Sequence, residues 1–229
     1  MFKKTILSLS LMAASFASVA EVKDMKETSY AIGVQSGILL NDNIKRSASL
    51  DIDIDKAELL KGFSDALHEK ANLTYEEALV FLQALDNTLQ EKEKGILSKM
   101  AEDNKAAGKL YSEEQAKLKN VVTTKSGLQY KVIKEGSGKK PSEASDVTVH
   151  YKGNLLDGTE FDSSYKRGEP ATFKLNGVIK GWTEGLQLMS EGSIYELTIP
   201  SELGYGDTGN PNVPPGSTMI FVVELIKVQ

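Results

Sequence analysis

Proline and glycine are distributed so unevenly along this chain that they divide it. All six prolines lie at or after Pro141, and 14 of the 19 glycines lie at or after Gly127. Proline breaks a helix interior, and glycine weakens one by about 1 kcal/mol. The stretch from 21 to about 120 is therefore free to be helical. The stretch after it, rich in β-branched and turn residues, calls for strands and tight turns. The change of composition places a boundary near Asn120.

The first 20 residues follow neither pattern. MFKKTILSLSLMAASFASVA has a basic start at Lys3 and Lys4, an apolar run from Thr5 to Ala17, and a small-x-small end at Ser18-Val19-Ala20. This is the form of a cleaved export signal, and it is shorter than the ~20 apolar residues of a spanning helix. The spacing predicts an exported chain that begins after Ala20.

Residues 21–119 read as three helices. The first, about 24–44, carries Tyr30, Ile32, Val34, Ile38, Leu39 and Leu40, and the second, about 55–70, carries Leu59, Leu60, Phe63, Ala66 and Leu67. The second set has the i, i+3, i+4 spacing of one buried face. Thr74-Tyr75-Glu76-Glu77 has the form of a capping box and opens the third helix. Its apolar stripe is dense to Leu89 and thin beyond, interrupted by Gly95 and Gly108 on the way to Lys119. If unbroken, it reaches roughly 65 Å at 1.5 Å per residue. The first two helices are too short to enclose a core of their own. A second copy of the chain is the simplest cover for their apolar faces, with a monomeric three-helix bundle as the competing arrangement.

After Asn120 the pattern alternates with period two. Five segments read as strands: 128–133, 147–151, 171–175, 195–199 and 219–226. The single helical stretch, Val178 to Leu188, places Trp182, Leu186 and Met189 on one side. The fold class is α+β, with a short helix packed on one face of an antiparallel sheet.

Composition removes many chemistries. Without cysteine there is no disulfide, thiolate metal site or cysteine nucleophile. A formal net charge of -5 suits nucleic acid poorly, because neutralising phosphates takes clustered Lys and Arg. The two histidines, His68 and His150, have no second ligand or serine partner in register, so no metal and no cofactor are expected. Gly204-Tyr205-Gly206-Asp207-Thr208-Gly209 matches a dinucleotide loop in letters only, because Pro211, Pro214 and Pro215 forbid the helix that must follow it. Asp51, Asp53 and Asp55 imitate a calcium loop but lack its glycine and its closing glutamate, and they read as a solvated cap of the second helix.

What remains is a concentration of aromatic and Val/Ile side chains among glycines and prolines, the composition of a ring-lined apolar pocket. Its order resembles that of a known family. Val149-His150-Tyr151-Lys152-Gly153, the run Asp157 to Ser164, Val178 to Leu186, Leu203-Gly204-Tyr205-Gly206 and Val213-Pro214-Pro215 are similar to the FKBP-type peptidyl-prolyl cis–trans isomerases. The helical arm and Ser126-Gly127-Leu128-Gln129-Tyr130 resemble the Mip and FkpA subgroup of exported bacterial members. The resemblance implies a division into a signal peptide (1–20), a helical dimerisation domain (21–73), a connecting helix (74–119) and an isomerase domain (120–229). It implies a V-shaped homodimer formed by the N-terminal helices.

By the same resemblance Trp182 is the floor for a proline ring, with Tyr151, Phe161, Val178, Ile179 and Phe221 as walls. The Tyr205 hydroxyl and the Ile179 N–H would bind substrate carbonyls. Asp162, held by Tyr151 and Arg167, would be the one acid, and Val213 would stand in the closing loop. Tyr151, Phe161, Asp162, Trp182 and Tyr205 are the implied catalytic set. Val178, Ile179, Val213, Phe221 and Arg167 are the implied binding set. Ala171 and Asn210 stand where the family more often has phenylalanine and histidine, which bears on ligand affinity. The implied partners are proline-containing unfolded chains, and tacrolimus and rapamycin as inhibitors. The implied location is the periplasm of a Gram-negative bacterium or its outer-membrane surface. The implied function is X-Pro isomerisation in folding exported proteins, with chaperone activity. A holdase, or a surface virulence factor with a secondary isomerase pocket, is the alternative.

Overall fold

A computed structural model describes residues 24–229. The expected export signal lies outside the described residues. The chain divides into two compact units, ending and beginning at Tyr75 and Glu76.

The first unit holds α1 (Met25–Ser49) and α2 (Lys56–Leu67). Asp24 caps α1 through its side chain, accepting from the Lys26 N–H at 2.7 Å. α1 runs five residues past the expected end at 44. The apolar signal stops at Leu40, but the residues that follow are helix-compatible, and Arg46 in the last turn suits the negative end of the helix dipole. Asp55 caps α2, with Oδ1 accepting from the N–H groups of Ala57 and Glu58. The acidic stretch 51–55 thus ends in the cap of α2, as its sequence indicated. Neither helix gains a core from its own unit. α2 has no buried residue, and Tyr30, Ile38, Leu39, Leu60 and Leu67 are all more than half exposed.

The second unit holds all but the first residue of α3 (Tyr75–Gln115), 41 residues without a break through Gly95 and Gly108. Seven antiparallel strands follow: β1 (Val121–Thr123), β2 (Gln129–Lys134), β3 (Asp146–Leu155), β4 (Glu160–Ser163), β5 (Ala171–Lys174), β6 (Ile194–Ile199) and β7 (Met219–Val228). Their order is β1-β2-β6-β7-β3-β4, and β5 pairs with the first half of β3. Two strands, β1 and β4, are additional to the five expected, since at three and four residues they are too short for periodicity to show.

The single turn α4 (Ser164–Arg167) and the helix α5 (Lys180–Leu188) complete the unit. The concave face of the sheet closes on α5. Leu128, Val147, Val149, Leu186, Leu197, Met219 and Leu225 are fully buried between them. The alternation of β3 sends Tyr151 to this inner side and His150 to the other, where His150 stacks on Tyr165 at 4.5 Å.

Candidate functional site

The period-two pattern and the placement of α5 bring aromatic rings from five elements to one end of the core. Trp182, in the first turn of α5, is 4 % exposed and meets three rings edge-on. Its ring centroid lies 5.0 Å from Tyr151 of β3, 5.6 Å from Phe173 of β5 and 5.3 Å from Phe221 of β7, with interplanar angles of 81–90°. Phe161 of β4 stands edge-on to Phe221 at 5.4 Å. Edge-to-face pairs add about 0.5–1.5 kcal/mol each beyond burial, so the set holds its shape without a ligand. The rings enclose a cavity of about 480 Å³, which Val178, Ile179, Asp162 and Tyr205 complete.

One acid stands among these rings. The Asp162 carboxylate accepts from the Tyr151 hydroxyl at 2.7 Å and from Arg167 Nη1 at 2.5 Å. Arg167 Nη2 donates to the Tyr151 oxygen at 2.6 Å, closing a three-membered network. Burial works against the carboxylate's charge, but the two hydrogen bonds and the Arg167 charge overcome it and hold Asp162 below its ordinary pKa. Tyr151 is pushed up by burial and by the neighbouring carboxylate. Both groups are therefore fixed in one protonation state at neutral pH. The network orients an anion and a phenol; it holds no proton ready for transfer.

Ile179 immediately precedes α5 as its N-cap residue and lines the cavity. Tyr205, on the loop between β6 and β7, is 38 % exposed at the rim.

Eight of the ten residues expected at the site line the cavity: Tyr151, Phe161, Asp162, Val178, Ile179, Trp182, Tyr205 and Phe221. Arg167 does not line it and acts through Asp162 and Tyr151. Val213 does not line it either; it is 1 % exposed and joins the core beneath the loop, where its N–H and C=O both bond to Asn210. Phe173, absent from the expected site set, also lines the pocket. Its alternation with Ala171 on β5 was the available signal, since both face the same side. A wider groove of about 600 Å³ between α3 and the sheet, lined by Lys105, Gly108, Ser112 and Gln129 among others, contains no aromatic ring.

A ring-walled cavity with a paired carboxylate thus sits on an antiparallel sheet closed over one helix. The model of the FKBP-type peptidyl-prolyl cis–trans isomerase domain matches residues 137–226. The model of the domain amino-terminal to such isomerases matches residues 25–132. The chain is 41% identical over 228 residues to the FKBP-type peptidyl-prolyl cis-trans isomerase FkpA of Escherichia coli K12, covering 97% of this chain and 84% of that one. It is 38% identical to the outer membrane protein MIP of Legionella longbeachae, covering 97% and 94%. The crystal structure of FkpA from Escherichia coli superposes with a TM-score of 0.75 at 42% identity, over 90% of this chain and 98% of that one. The chain belongs to the FKBP-type peptidyl-prolyl cis–trans isomerases, and X-Pro isomerisation is its activity.

Proposed function

We propose that the ring-lined cavity is where isomerisation occurs, and that the chain works as an exported dimer on proline-containing, incompletely folded polypeptides. The observation that carries the site assignment is the set of three rings edge-on around Trp182 with a single, fully paired carboxylate. Rotation about the C–N bond has a barrier of about 18–20 kcal/mol because resonance keeps the peptide planar. That resonance places charge on the carbonyl oxygen, which water stabilises. A dry ring-lined socket withdraws the water and so weakens the planar state relative to the twisted one. Binding the twisted conformer more tightly than the planar one lowers the barrier further.

In this reading Trp182 seats the proline ring. Tyr151, Phe161, Phe173 and Phe221 wall it. The Ile179 N–H and the Tyr205 hydroxyl take carbonyl oxygens, and Asp162 with Arg167 fixes the Tyr151 ring. No bond breaks and no proton moves, which suits a site whose ionisable groups are locked. Protease-coupled or exchange-NMR measurement on short X-Pro peptides, with and without rapamycin, tests the assignment. Rapamycin should compete with peptide, and resonances of Trp182 and Ile179 should shift with either ligand. Turnover indifferent to both would remove the site from this cavity.

The dimer reading rests on the exposed apolar faces of α1 and α2, which one chain leaves uncovered. The export reading rests on the form of residues 1–20 and on the name of the MIP relative, an outer membrane protein. Among the described residues no helix is long and apolar enough to cross a membrane. A chaperone contribution would come from the same apolar arm faces that support dimerisation.

A further inference from the structure

The loop between β6 and β7, residues 200–218, carries Tyr205, and its inner bonds show where it is held. Gly206 N–H donates to the Ser201 carbonyl and Gly216 N–H to the Gly206 carbonyl, each at 2.9 Å. These bonds pinch the loop at its base, one residue from Tyr205. The far half of α3 packs against the Gly216 side of the pinch.

Ala101, Asn104, Lys105 and Gly108 are spaced i, i+3, i+4, i+7 and form one helical stripe. Ala101 is 4 % exposed, and its backbone meets Gly216 so closely that a Cβ on Gly216 would lie 2.3 Å from the Ala101 carbonyl oxygen. Gly216 has φ +70°, so the position excludes other residues twice over. A Cβ on Gly108 would lie 2.1 Å from Thr218 Oγ1. Between these contacts Asn104 Nδ2 donates to the Pro215 carbonyl at 2.8 Å and reaches Ser217 Oγ at 3.5 Å. A carbonyl only accepts, so the Asn104 amide must present its NH₂ there. Lys105 pairs with Asp207 on the opposite flank of the loop. That pair is substantially exposed and contributes little in water. The half-buried Asn104 bond and the close approaches of Ala101 to Gly216 and of Gly108 to the Thr218 side chain fix the loop.

We infer that Asn104 is a positioning residue for the isomerase reaction: through the Pro215 carbonyl it holds the base of the loop, and so the Tyr205 hydroxyl, in register with the ring pocket. The inference rests on the reading that Tyr205 contacts substrate. It assigns the far half of α3 a part in the reaction.

The test uses the full chain with Asn104→Ala and Asn104→Asp, and Asp103→Asn, which pairs only with Lys99 on the exposed side of the same helix, as control. Asn104→Ala removes the donor. Asn104→Asp keeps the shape but sets a carboxylate against a carbonyl oxygen. Turnover of a short X-Pro peptide, per folded molecule, should fall about three- to tenfold in Asn104→Ala, the range for one lost hydrogen bond, and further in Asn104→Asp. The control should match wild type. The amide resonances of Gly206, Asp207 and Gly216 should shift in the same order, while those of β3 stay in place. Wild-type turnover in both Asn104 variants overturns the inference. So does a fall in turnover with the loop amides unmoved, because the effect would then not pass through the loop. Tyr205→Phe is assayed beside them. If it alone is silent, the Tyr205 reading fails, and the amide shifts still report whether Asn104 holds the loop.

Discussion

Asp162 shows how a residue's role follows from its neighbours. A carboxylate among aromatic rings should resist ionisation, yet Tyr151 and Arg167 reverse that tendency. A depressed pKa means that the charged form is favoured on folding. The stabilisation it supplies is present above the ordinary carboxylate range and is lost as pH falls through the depressed value. Peptide turnover should therefore be flat from pH 7 to about 5 and decline only below about 4, the ordinary value for aspartate. Arg167→Ala leaves burial opposed by one hydrogen bond fewer and should move this acid limb to higher pH, read as a pH–rate profile. Tyr205→Phe, at an exposed rim position, should lower turnover with the circular dichroism spectrum unchanged. Trp182→Ala would be a poor probe, because loss of a buried ring costs about 3–5 kcal/mol on its own. The sequence named eight of the pocket-lining residues because ring types in a fixed order survive without coordinates. It left unread how Val213 is held in that loop, where the Asn210 side chain accepts from the Asn212 and Val213 N–H groups at 2.8 Å. No linear pattern states that bond.

At the level of elements, helix positions and the longer strands were legible from periodicity, and the docking of α3 was not. The stripe beyond Leu89 reads as polar because the side facing the loop consists of Ala101, Asn104, Lys105 and Gly108. Close backbone approach needs small residues, whereas hydrophobic periodicity looks for large ones, so the contact left no apolar signal. The same face continues to Ser112, whose carbonyl accepts from Gln129 Nε2 at 2.8 Å, tying α3 to β2. A fragment of residues 76–229 should consequently melt higher than a fragment of residues 121–229. The shorter fragment loses the Ala101–Gly216, Asn104–Pro215 and Ser112–Gln129 contacts. Since a change of 1 kcal/mol moves the midpoint of domains of these sizes by about 2–8 °C, thermal unfolding resolves the difference. Equal midpoints would show that α3 rests on the sheet without stabilising it.

For the whole molecule the question is what the arm adds to a pocket that is complete without it. α1 and α2 leave Tyr30, Ile38, Leu39 and Leu60 in solvent, more apolar surface than two short helices retain for no partner. Light scattering of the chain from residue 24 onward should give twice the chain mass, and the 76–229 fragment should give one. A short peptide needs only a pocket, so both forms should isomerise it at similar rates per pocket. An unfolded protein differs, because its prolines must stay near a pocket long enough to react. Uncatalysed X-Pro exchange takes tens to hundreds of seconds. A dimer presents two pockets joined to apolar arm faces. Once a chain has made one contact, the second becomes intramolecular and its effective concentration rises. The full chain should therefore accelerate proline-limited refolding of a protein substrate well beyond the fragment, compared at equal pocket concentration. If both are equally effective, the arm holds two subunits together without holding clients, and the chaperone contribution falls away while the isomerase activity stands.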